Sequence, residues 1–234
     1  MDELIQYTST DNHVIITLTN GKANAISHEV IDALNIHLDQ AEKEEKPVIL
    51  TGQSGIFSAG YDLKSMTQSP ESALELVTKG SKLSYRMLSF PFPIIAACSG
   101  HAIAKGAFLL LSTDYRLGVE GDFKIGLNEV MIGMTMHNAG IEIAKARLTP
   151  IYFERSVNCS EIYNPKDAVT AGFLDKVVPQ EHLLPTAIKI AEMFSKLNKK
   201  AHTETKLKVR KPYLTSLQEA IEQDCKEGLT PPSK

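Results

Sequence analysis

The sequence contains few cysteines and no pattern that could link them. Cys98, Cys159 and Cys225 are widely separated and odd in number. A disulfide framework needs paired cysteines in an oxidising compartment, so the three cysteines favour a reducing cytoplasm. None of them has metal-ligand spacing to a second Cys or to a His. We therefore expect a cytoplasmic protein without a metal site.

Long apolar runs and an excess of one charge are also missing. The N-terminal MDELIQYTST has no basic region followed by an apolar run. No apolar segment approaches the roughly 20 residues that a membrane span needs. The formal net charge of −3 provides no general attraction to nucleic acid or to an anionic membrane. These absences leave a small molecule as the expected partner.

What is present is enough apolar material for a substantial core. The 234 residues include 43% hydrophobic ones, and this length suits a main domain with a smaller appendage. We predict a core domain over residues 1–180. A helical region over residues 181–234 is predicted to serve packing and oligomerisation.

The first third of the chain predicts a hairpin, a helix and a buried strand. Apolar and β-branched residues recur over 4–8 and 13–19, around a turn at 9–12. Ser27 is in the N-cap position of a helix to about Glu45. The predicted apolar stripe of that helix is Val30, Ile31, Leu34, Leu38 and Ala41. A strand at 47–52 then precedes the loop QSGIFSAGYDLKSM, where a ligand could meet backbone amides.

The middle of the chain alternates between predicted helices and strands. Residues 69–89 have helical spacing with polar faces, which predicts an exposed helix or helix pair. Residues 94–98 follow two prolines and predict a fully buried strand. The apolar run KGAFLLLST at 105–113 predicts a buried helix, and 114–118 a returning strand. This succession indicates an α/β fold of ββα or βα units with crossover connections.

The rest of the chain is largely helical in pattern. Helices are predicted over 141–157 and 164–172, the second with Pro165 in its first turn and Gly172 at its end. The short strand FLDKVVP follows, and then helix from 180 to 228, interrupted at Pro212. Because a long helical tail after an α/β core commonly packs on a neighbouring subunit, we predict an oligomer.

One carboxylate stands at an unusual place. The stretch FKIGLNEVMIGMTM, residues 123–136, sets Glu129 between two apolar runs. Neighbours such as Leu127, Val130 and Met131 would desolvate the carboxyl group. Its pKa would then rise towards the range in which it can both accept and return a proton. The alternative is an ordinary solvated Glu.

Five motifs in a fixed order make the chain resemble the crotonase (enoyl-CoA hydratase/isomerase) superfamily. They are KANAIS (22–27), FSAGYDLKSM (57–66), PIIAACSGHAIAKGAFLLLSTDYRLG (93–118), GLNEVMIGM (126–134) and A-x-x-A-G-F-L-D-K-V-V-P (168–179). The resemblance covers nearly the whole chain. It implies a crotonase-like spiral of ββα units with a C-terminal helical trimerisation region, assembled as a trimer or a dimer of trimers. It also implies an acyl-CoA thioester bound by the core domain as substrate, so that CoA is not a separate cofactor.

The resemblance further implies an oxyanion hole, in which two backbone N–H groups hold the thioester carbonyl as it becomes negative. The first N–H maps onto Tyr61. The second maps onto Lys105, at the predicted N-terminus of the apolar helix, where members usually carry Gly. If that position needs a positive φ, Lys105 is strained by about 1 kcal/mol or more. The substrate-binding positions implied by the same motifs are Lys22, Ala23, Ala25, Ser58, Ala59, Gly60, Asp62, Leu63, Gly106 and Phe108.

The side chains beside this hole separate the reactions of the family. Hydratases of this type use two glutamates, and the position of the first is Phe108 here. The second is Glu129. One carboxylate can move a proton between two carbons, which is the conversion of 3-enoyl-CoA to 2-enoyl-CoA. The motif GLNEVMIGM also resembles the isomerase branch, in which Asn-Glu replaces the Pro-Glu common in hydratases. The alternatives are a hydratase or other crotonase reaction that uses Glu129 alone, and a non-catalytic acyl-CoA-binding trimer in which Lys105 blocks the pocket.

Four other features have two interpretations each. His137, eight residues beyond Glu129, is a second acid or a structural residue. Asp114 resembles a family position with a structural hydrogen bond. Lys22 meets a CoA phosphate or is simply exposed. The basic run Lys199, Lys200, Lys206, Lys208, Arg210 and Lys211 assists the CoA phosphates or forms a solvated helix face, and no interleaved aromatic residues suggest nucleic-acid binding.

Overall fold

The structure, a computed structural model, describes residues 4–229 and builds them into two sheets surrounded by helices. The strands are β1 (Ile5–Ser9), β2 (Val14–Leu18), β3 (Val48–Thr51), β4 (Gly55–Ser58), β5 (Ile94–Cys98), β6 (Gly100–Ile103), β7 (Tyr115–Val119), β8 (Ile125–Gly126), β9 (Ile162–Tyr163) and β10 (Lys176–Val178). The helices are α1 (His28–Lys43), α2 (Leu63–Gln68), α3 (Pro70–Ser89), α4 (Lys105–Leu111), α5 (Asn138–Arg147), α6 (Pro150–Asn158), α7 (Pro165–Ala171), α8 (Leu183–Ser195) and α9 (Lys199–Glu227). Short 3₁₀ turns cover Val130–Ile132 and Gln180–His182.

The chain winds as a spiral that contributes to both sheets in each turn. The larger sheet has the order β1-β2-β3-β5-β7-β10, and the smaller has the order β4-β6-β8-β9. β3, β5 and β7 of the larger sheet are each followed by a strand of the smaller one. β1 and β2 form the predicted antiparallel hairpin, whereas β2, β3, β5, β7 and β10 run parallel. The predicted α/β spiral of ββα units is confirmed.

Helix α1 follows its sequence pattern closely. The Ser27 hydroxyl accepts from the Val30 N–H at 3.3 Å, as expected of an N-cap. The five apolar stripe residues predicted for this helix are all buried. Strand β5 is buried along its whole length, and so is helix α4. These predictions are confirmed. Each rests on a strong helical periodicity of apolar residues or on an unbroken apolar run.

Other elements differ from the prediction. The segment after β3, predicted as a loop, contains strand β4 and helix α2, and strand β6 lies where no helix or strand is predicted. Strands of four residues are too short to show a detectable alternation of apolar and polar residues. Residues 70–89 form one helix, α3, with nine buried residues, and not an exposed helix or a pair. The segment 141–157 is split between α5 and α6, which begins at Pro150.

The predicted interruption at Pro212 is wrong. Helix α9 runs through Pro212, and the break falls before it, where Asn198 caps α9 by accepting from the Ala201 N–H at 3.0 Å. Pro212 removes one N–H from the helix, and the carbonyl that this N–H would have met belongs to Lys208. Both residues are exposed, so water can satisfy that carbonyl.

Helix α9 packs along α3 and α5 of its own chain. Its Lys206 and Arg210 are buried, and each bonds a carboxylate oxygen of Asp114 at 2.8 Å. Asp114 also accepts from the Ile94 N–H at 2.7 Å, which gives it the predicted structural role. Lys206 and Arg210 are therefore neither a solvated face nor free for CoA phosphates, contrary to the expectation. The division at residue 180 and the oligomer stay predictions.

Candidate active site

Two of the sequence motifs are joined by backbone hydrogen bonds. The Ala59 N–H donates to the Ala23 carbonyl at 2.9 Å, and the Ile26 N–H donates to the Gly60 carbonyl at 2.8 Å. The Asp62 N–H in turn donates to Ile26 at 3.0 Å. In this pattern the N–H of Tyr61 points away from Ile26. Within residues 4–229 no carbonyl accepts from it, so it is free to bind an external oxygen.

The second predicted donor lies at the start of α4. Lys105 is the first residue of this helix, where the N–H has no partner within the helix. The left-handed φ of 51° falls on Ala104, so the strain expected at Lys105 is located one residue earlier. A Cβ on Gly60 would lie 3.6 Å from the Lys105 nitrogen. The residue before Tyr61 thus approaches the Lys105 amide closely, which places the two predicted donors in one small region.

Glycine at position 106 is required by this approach. A Cβ there would overlap the carbonyl oxygen of Ser58, the last residue of β4. The backbone of α4 is therefore in direct contact with the strand that leads to Tyr61. The relative position of the two amides is set by this backbone contact.

Glu129 follows β8 at the start of the 3₁₀ turn Val130–Ile132. The turn ends at Gly133, whose φ of 78° is left-handed, and the Glu129 carbonyl accepts from the Met134 N–H at 2.9 Å. The Glu129 side chain is only 7% exposed, and within the described part of the chain its Oε2 has no hydrogen-bond partner. Burial raises the pKa of Glu129 to about 7, although backbone amides of Glu129 and Asn128 act in the opposite direction. The predicted rise in pKa is confirmed.

Three further side chains lie close to these groups. The charge of Glu129 adds to the burial that raises the pKa of Tyr61, which indicates that the two side chains are near each other. His137 packs its ring edge-to-face on Phe108, with 5.6 Å between ring centroids. Burial lowers the pKa of His137, the charge of Asp224 acts in the opposite direction, and the charge of Lys105 adds to the lowering. Phe108, at the position of the missing acid, is 1% exposed.

The predicted substrate-binding residues differ in exposure. Lys22, Ala23, Ala59 and Leu63 are exposed, Ala25 and Asp62 are half-buried, and Ser58, Gly60, Gly106 and Phe108 are buried. Asp62 caps α2 by accepting from the Ser65 N–H at 2.8 Å. Their contacts with substrate stay predictions.

One part of the site was missed by sequence reasoning. The Lys105 side chain extends to α3, where its Nζ bonds the Gly80 carbonyl at 2.5 Å and the Ser84 Oγ at 2.7 Å. The signal for this contact was weak but present, because Gly80 and Ser84 are small residues one helical turn apart. Small side chains on a helix allow another element to approach its backbone.

Two grooves border this region. One of about 410 Å³ lies along the segment after Glu129 and is lined by Val130, Gly133, Met134, Thr135, Met136, Ile141, Val157 and Asn158. Another of about 770 Å³ includes the carboxylates of Glu29, Asp62, Glu71 and Glu75 together with Lys64 and His28. The carboxylates outnumber the basic side chains, which disfavours phosphate groups there. Among residues 4–229 no group of three His, Cys, Asp or Glu side chains could hold a metal ion. No helix in that range is long and apolar enough to cross a bilayer.

The chain is similar to known proteins in both sequence and fold. Residues 9–230 match the family model described as enoyl-CoA hydratase/isomerase. A solved enoyl-CoA hydratase/isomerase family protein from Pseudomonas syringae is 59% identical, with a TM-score of 0.93 over 94% of this chain and 96% of that one. An enoyl-CoA isomerase structure from Mycobacterium tuberculosis is 36% identical, with a TM-score of 0.92 over 97% and 100% of the two chains. The same mycobacterial protein is also described as a probable enoyl-CoA hydratase.

A probable enoyl-CoA hydratase from Bacillus subtilis is 36% identical over 132 residues. That match covers 55% of this chain and 51% of the relative, so the chain matches about half the length of this relative. The family model, in contrast, covers nearly the whole sequence. The chain belongs to the enoyl-CoA hydratase/isomerase family of the crotonase superfamily.

Proposed function

We propose that the protein converts 3-enoyl-CoA to 2-enoyl-CoA thioesters with Glu129 as the single proton shuttle. The observation that carries the proposal is a buried carboxylate, Glu129, with a free Oε2, in a chain whose residue at the position of the second acid is a buried Phe108. Its pKa of about 7 suits a group that must both accept and return a proton near neutral pH.

The reaction then needs one proton and no water. The Glu129 carboxylate removes a proton from C2 of the substrate, and the electron pair moves into a dienolate whose negative charge lies largely on the thioester oxygen. The N–H groups of Tyr61 and Lys105 hold that oxygen, each contributing roughly 3–4 kcal/mol of transition-state stabilisation. The protonated Glu129 returns the proton to C4, which leaves the double bond between C2 and C3.

Hydration of a 2-enoyl thioester makes a different demand. Water must be held, deprotonated and added to C3 while a proton is delivered to C2, which is easier with two acid-base groups. Phe108 supplies neither a proton nor an acceptor. The absence of a second acid at position 108 supports isomerisation, although the relatives include proteins named for either reaction.

The groove after Glu129 supports an acyl substrate. Its lining includes Met134, Met136, Ile141 and Val157, which are apolar. Transfer of an acyl chain from water to such an apolar surface is favourable. We propose that this groove receives part of the acyl chain, and that Lys22 and the neighbouring exposed backbone contact the CoA portion.

The test is a spectrophotometric assay with purified protein. With 3-enoyl-CoA, we expect the absorbance of the conjugated 2-enoyl thioester to appear. Glu129→Gln should lower the rate by roughly 10²–10⁴-fold, as for a lost general base. Glu120→Gln, at an exposed position, is the matched control and should keep the wild-type rate.

Three outcomes would contradict the proposal. Unchanged turnover in Glu129→Gln would exclude Glu129 as the proton shuttle. Loss of conjugation when 2-enoyl-CoA is supplied, without isomerisation of 3-enoyl-CoA, would identify a hydratase. Binding of acyl-CoA with neither reaction would identify a non-catalytic acyl-CoA-binding protein.

We also propose a homotrimer or a dimer of trimers, located in the cytoplasm. The support is the family resemblance alone, because helix α9 packs along α3 and α5 of its own chain. Sedimentation velocity should give three or six times the 25.7 kDa chain mass, and a monomer would contradict the proposal.

A further inference from the structure

The two residues that carry the oxyanion-hole amides send their side chains to the same part of helix α3. The Tyr61 hydroxyl donates a weak hydrogen bond to the Val77 carbonyl at 3.5 Å. A Cβ on Gly80 would overlap that hydroxyl, so Tyr61 lies directly on the helix backbone. Lys105 bonds Gly80 and Ser84 on the same helix. We call Val77, Gly80 and Ser84 the α3 clamp.

Lys105 is an unusual residue for this position. Its side chain is 1% exposed, and its Nζ has two neutral acceptors and no carboxylate partner within residues 4–229. The ammonium lies 5.9 Å from the centroid of the Tyr61 ring. Burying an unpaired charge is unfavourable, and burial lowers the pKa of Lys105 to about 7. An apolar side chain of similar length would avoid this cost.

The placement of the anchors has a direct geometric consequence. Lys105 is the first residue of α4, so its Cα and its amide nitrogen belong to the same rigid turn as its anchored side chain. Tyr61 is held by the other end of the same clamp. The clamp therefore links the two amides through side chains, in addition to the backbone contact between Gly106 and Ser58.

We propose that Lys105 is a positioning residue whose side-chain anchors on α3 fix the direction of its own amide relative to that of Tyr61. The proposal rests on the oxyanion hole of the proposed function. Amide donors stabilise a transition state only when they point at the oxygen that becomes negative, and a displacement of about 1 Å can cost roughly 10²-fold in rate.

The charge of Lys105 adds a second contribution. Among the described residues, the titratable groups on this side of Lys105 are Tyr61, from the loop before α2, and His137, which precedes α5. The charges of Glu129 and Asp224 act on Tyr61 and His137, respectively. The contacts of the Lys105 Nζ with α3, within the part of the chain that the structure describes, are with the neutral acceptors Gly80 and Ser84. The Lys105 ammonium lies 5.9 Å from the ring centroid of Tyr61, the residue that carries the other donor amide. We expect a positive charge on this side of the site to favour the developing enolate, so the protonated form of Lys105 should be the more active one. The rate constant kcat/KM should therefore fall on the alkaline side as Lys105 loses its proton.

Two variants separate the anchors from the charge. Lys105→Met removes both, and we expect kcat to fall by about 10–100-fold while KM changes by less than about threefold. Its alkaline limb in kcat/KM should also disappear. Ser84→Ala removes one anchor but keeps the charge, so kcat should fall by about 2–10-fold with the alkaline limb retained.

Lys79→Met is the matched control. It makes the same substitution on α3, one residue from Gly80, but its side chain reaches outward to Asp32 at 3.4 Å. This variant should keep wild-type kcat and the same pH profile. Circular dichroism and thermal unfolding of all three variants check that each is folded, and Lys105→Met should be no less stable than wild type because it removes a buried charge.

A binding measurement distinguishes failure of the proposal from failure of the proposed function. Cinnamoyl-CoA is a conjugated thioester whose absorption band moves to longer wavelength when its carbonyl is polarised. Wild-type protein should bind it with a red shift, and Lys105→Met should bind it with a smaller shift. Absence of binding or of a shift in wild type would overturn the oxyanion hole itself. An equal shift in both proteins, with unchanged kcat in Lys105→Met, would overturn the positioning role alone.

Discussion

Replacing Glu129 by Gln should stabilise the fold at alkaline pH while it removes activity. Because the Glu129 carboxyl is buried without a partner for Oε2, its pKa is raised from 4.5 to about 7 in the native state. The unfolded chain exposes the group to water, where the ordinary value applies. Between these two values the native state binds a proton that the unfolded state has released.

The sign of the effect follows from this difference in bound protons. Below pH 4.5 the carboxyl is neutral in both states, so its full contribution to stability is present. As the pH rises through 7, that contribution is lost, because the native state must hold a buried carboxylate. The change in pKa from 4.5 to about 7 corresponds to a loss of about 3 kcal/mol of unfolding free energy. A Gln at position 129 titrates in neither state and avoids the loss.

The assay is urea unfolding at pH 4.5 and pH 8.5, at one protein concentration, followed by circular dichroism. The stability of Glu129→Gln relative to wild type should be about 3 kcal/mol more favourable at the higher pH. Comparing two pH values cancels any cost of an unpaired Gln amide, and exposed Glu120→Gln controls for the change in net charge. If the stability of Glu129→Gln relative to wild type were equal at both pH values, or larger at pH 4.5, the claim that burial raises the pKa of Glu129 would be refuted.

Three other substitutions test the structural supports of the site. Asp114→Asn leaves Lys206 and Arg210 buried without their counter-charge and should cost about 3–5 kcal/mol in urea unfolding, with little change in kcat of the folded fraction. Asp224→Ala removes three hydrogen bonds, two from Asn138 and one from the Ala139 N–H, and should lower the unfolding free energy by about 2–3 kcal/mol. Gly106→Ala should cost about 1–3 kcal/mol by overpacking against Ser58 and should lower kcat in the assay with 3-enoyl-CoA, because the displaced backbone includes the Lys105 amide.

Local sequence patterns are sufficient to predict the elements that have a long helical periodicity or an unbroken apolar run. Helix α1, the buried strand β5 and the apolar helix α4 are all predicted from sequence with bounds close to those observed. The second sheet was largely missed, because its strands have only two to four residues and their pairing depends on the winding of the whole chain. The spiral itself is implied only by the resemblance that the five ordered motifs carry.

At the candidate site, too, the sequence predicts some properties and not the structural features that cause them. The rise in the pKa of Glu129 was predicted, but the expected cause was only partly right. Val130, Met131 and Ile132 are 43%, 65% and 40% exposed, so these neighbours do not enclose the carboxyl group. The turn after β8 directs the Glu129 side chain inward and the following apolar residues outward. A sequence period cannot specify which side of a tight turn is buried.

The anchoring of Lys105 lay beyond local reasoning for a different reason. Lys105 and its acceptor Gly80 are 25 residues apart, on separate helices, and no repeat connects them. The two interpretations available from sequence were a strained backbone and a blocked pocket. In the structure the positive φ belongs to Ala104, and the Lys105 side chain runs to α3. Only the packing of α3 against the start of α4 distinguishes these possibilities.

The electrostatics of the site support a reaction in which one negative charge changes position. In the proposed isomerisation, Glu129 begins as the carboxylate and becomes neutral as it takes the proton, while the thioester oxygen becomes negative. The total charge in the buried region is the same before and after this step. Burial raises the energy of the charge at its starting place on Glu129, and the amides of Tyr61 and Lys105 lower it at its destination. Both effects reduce the free energy of the proton transfer.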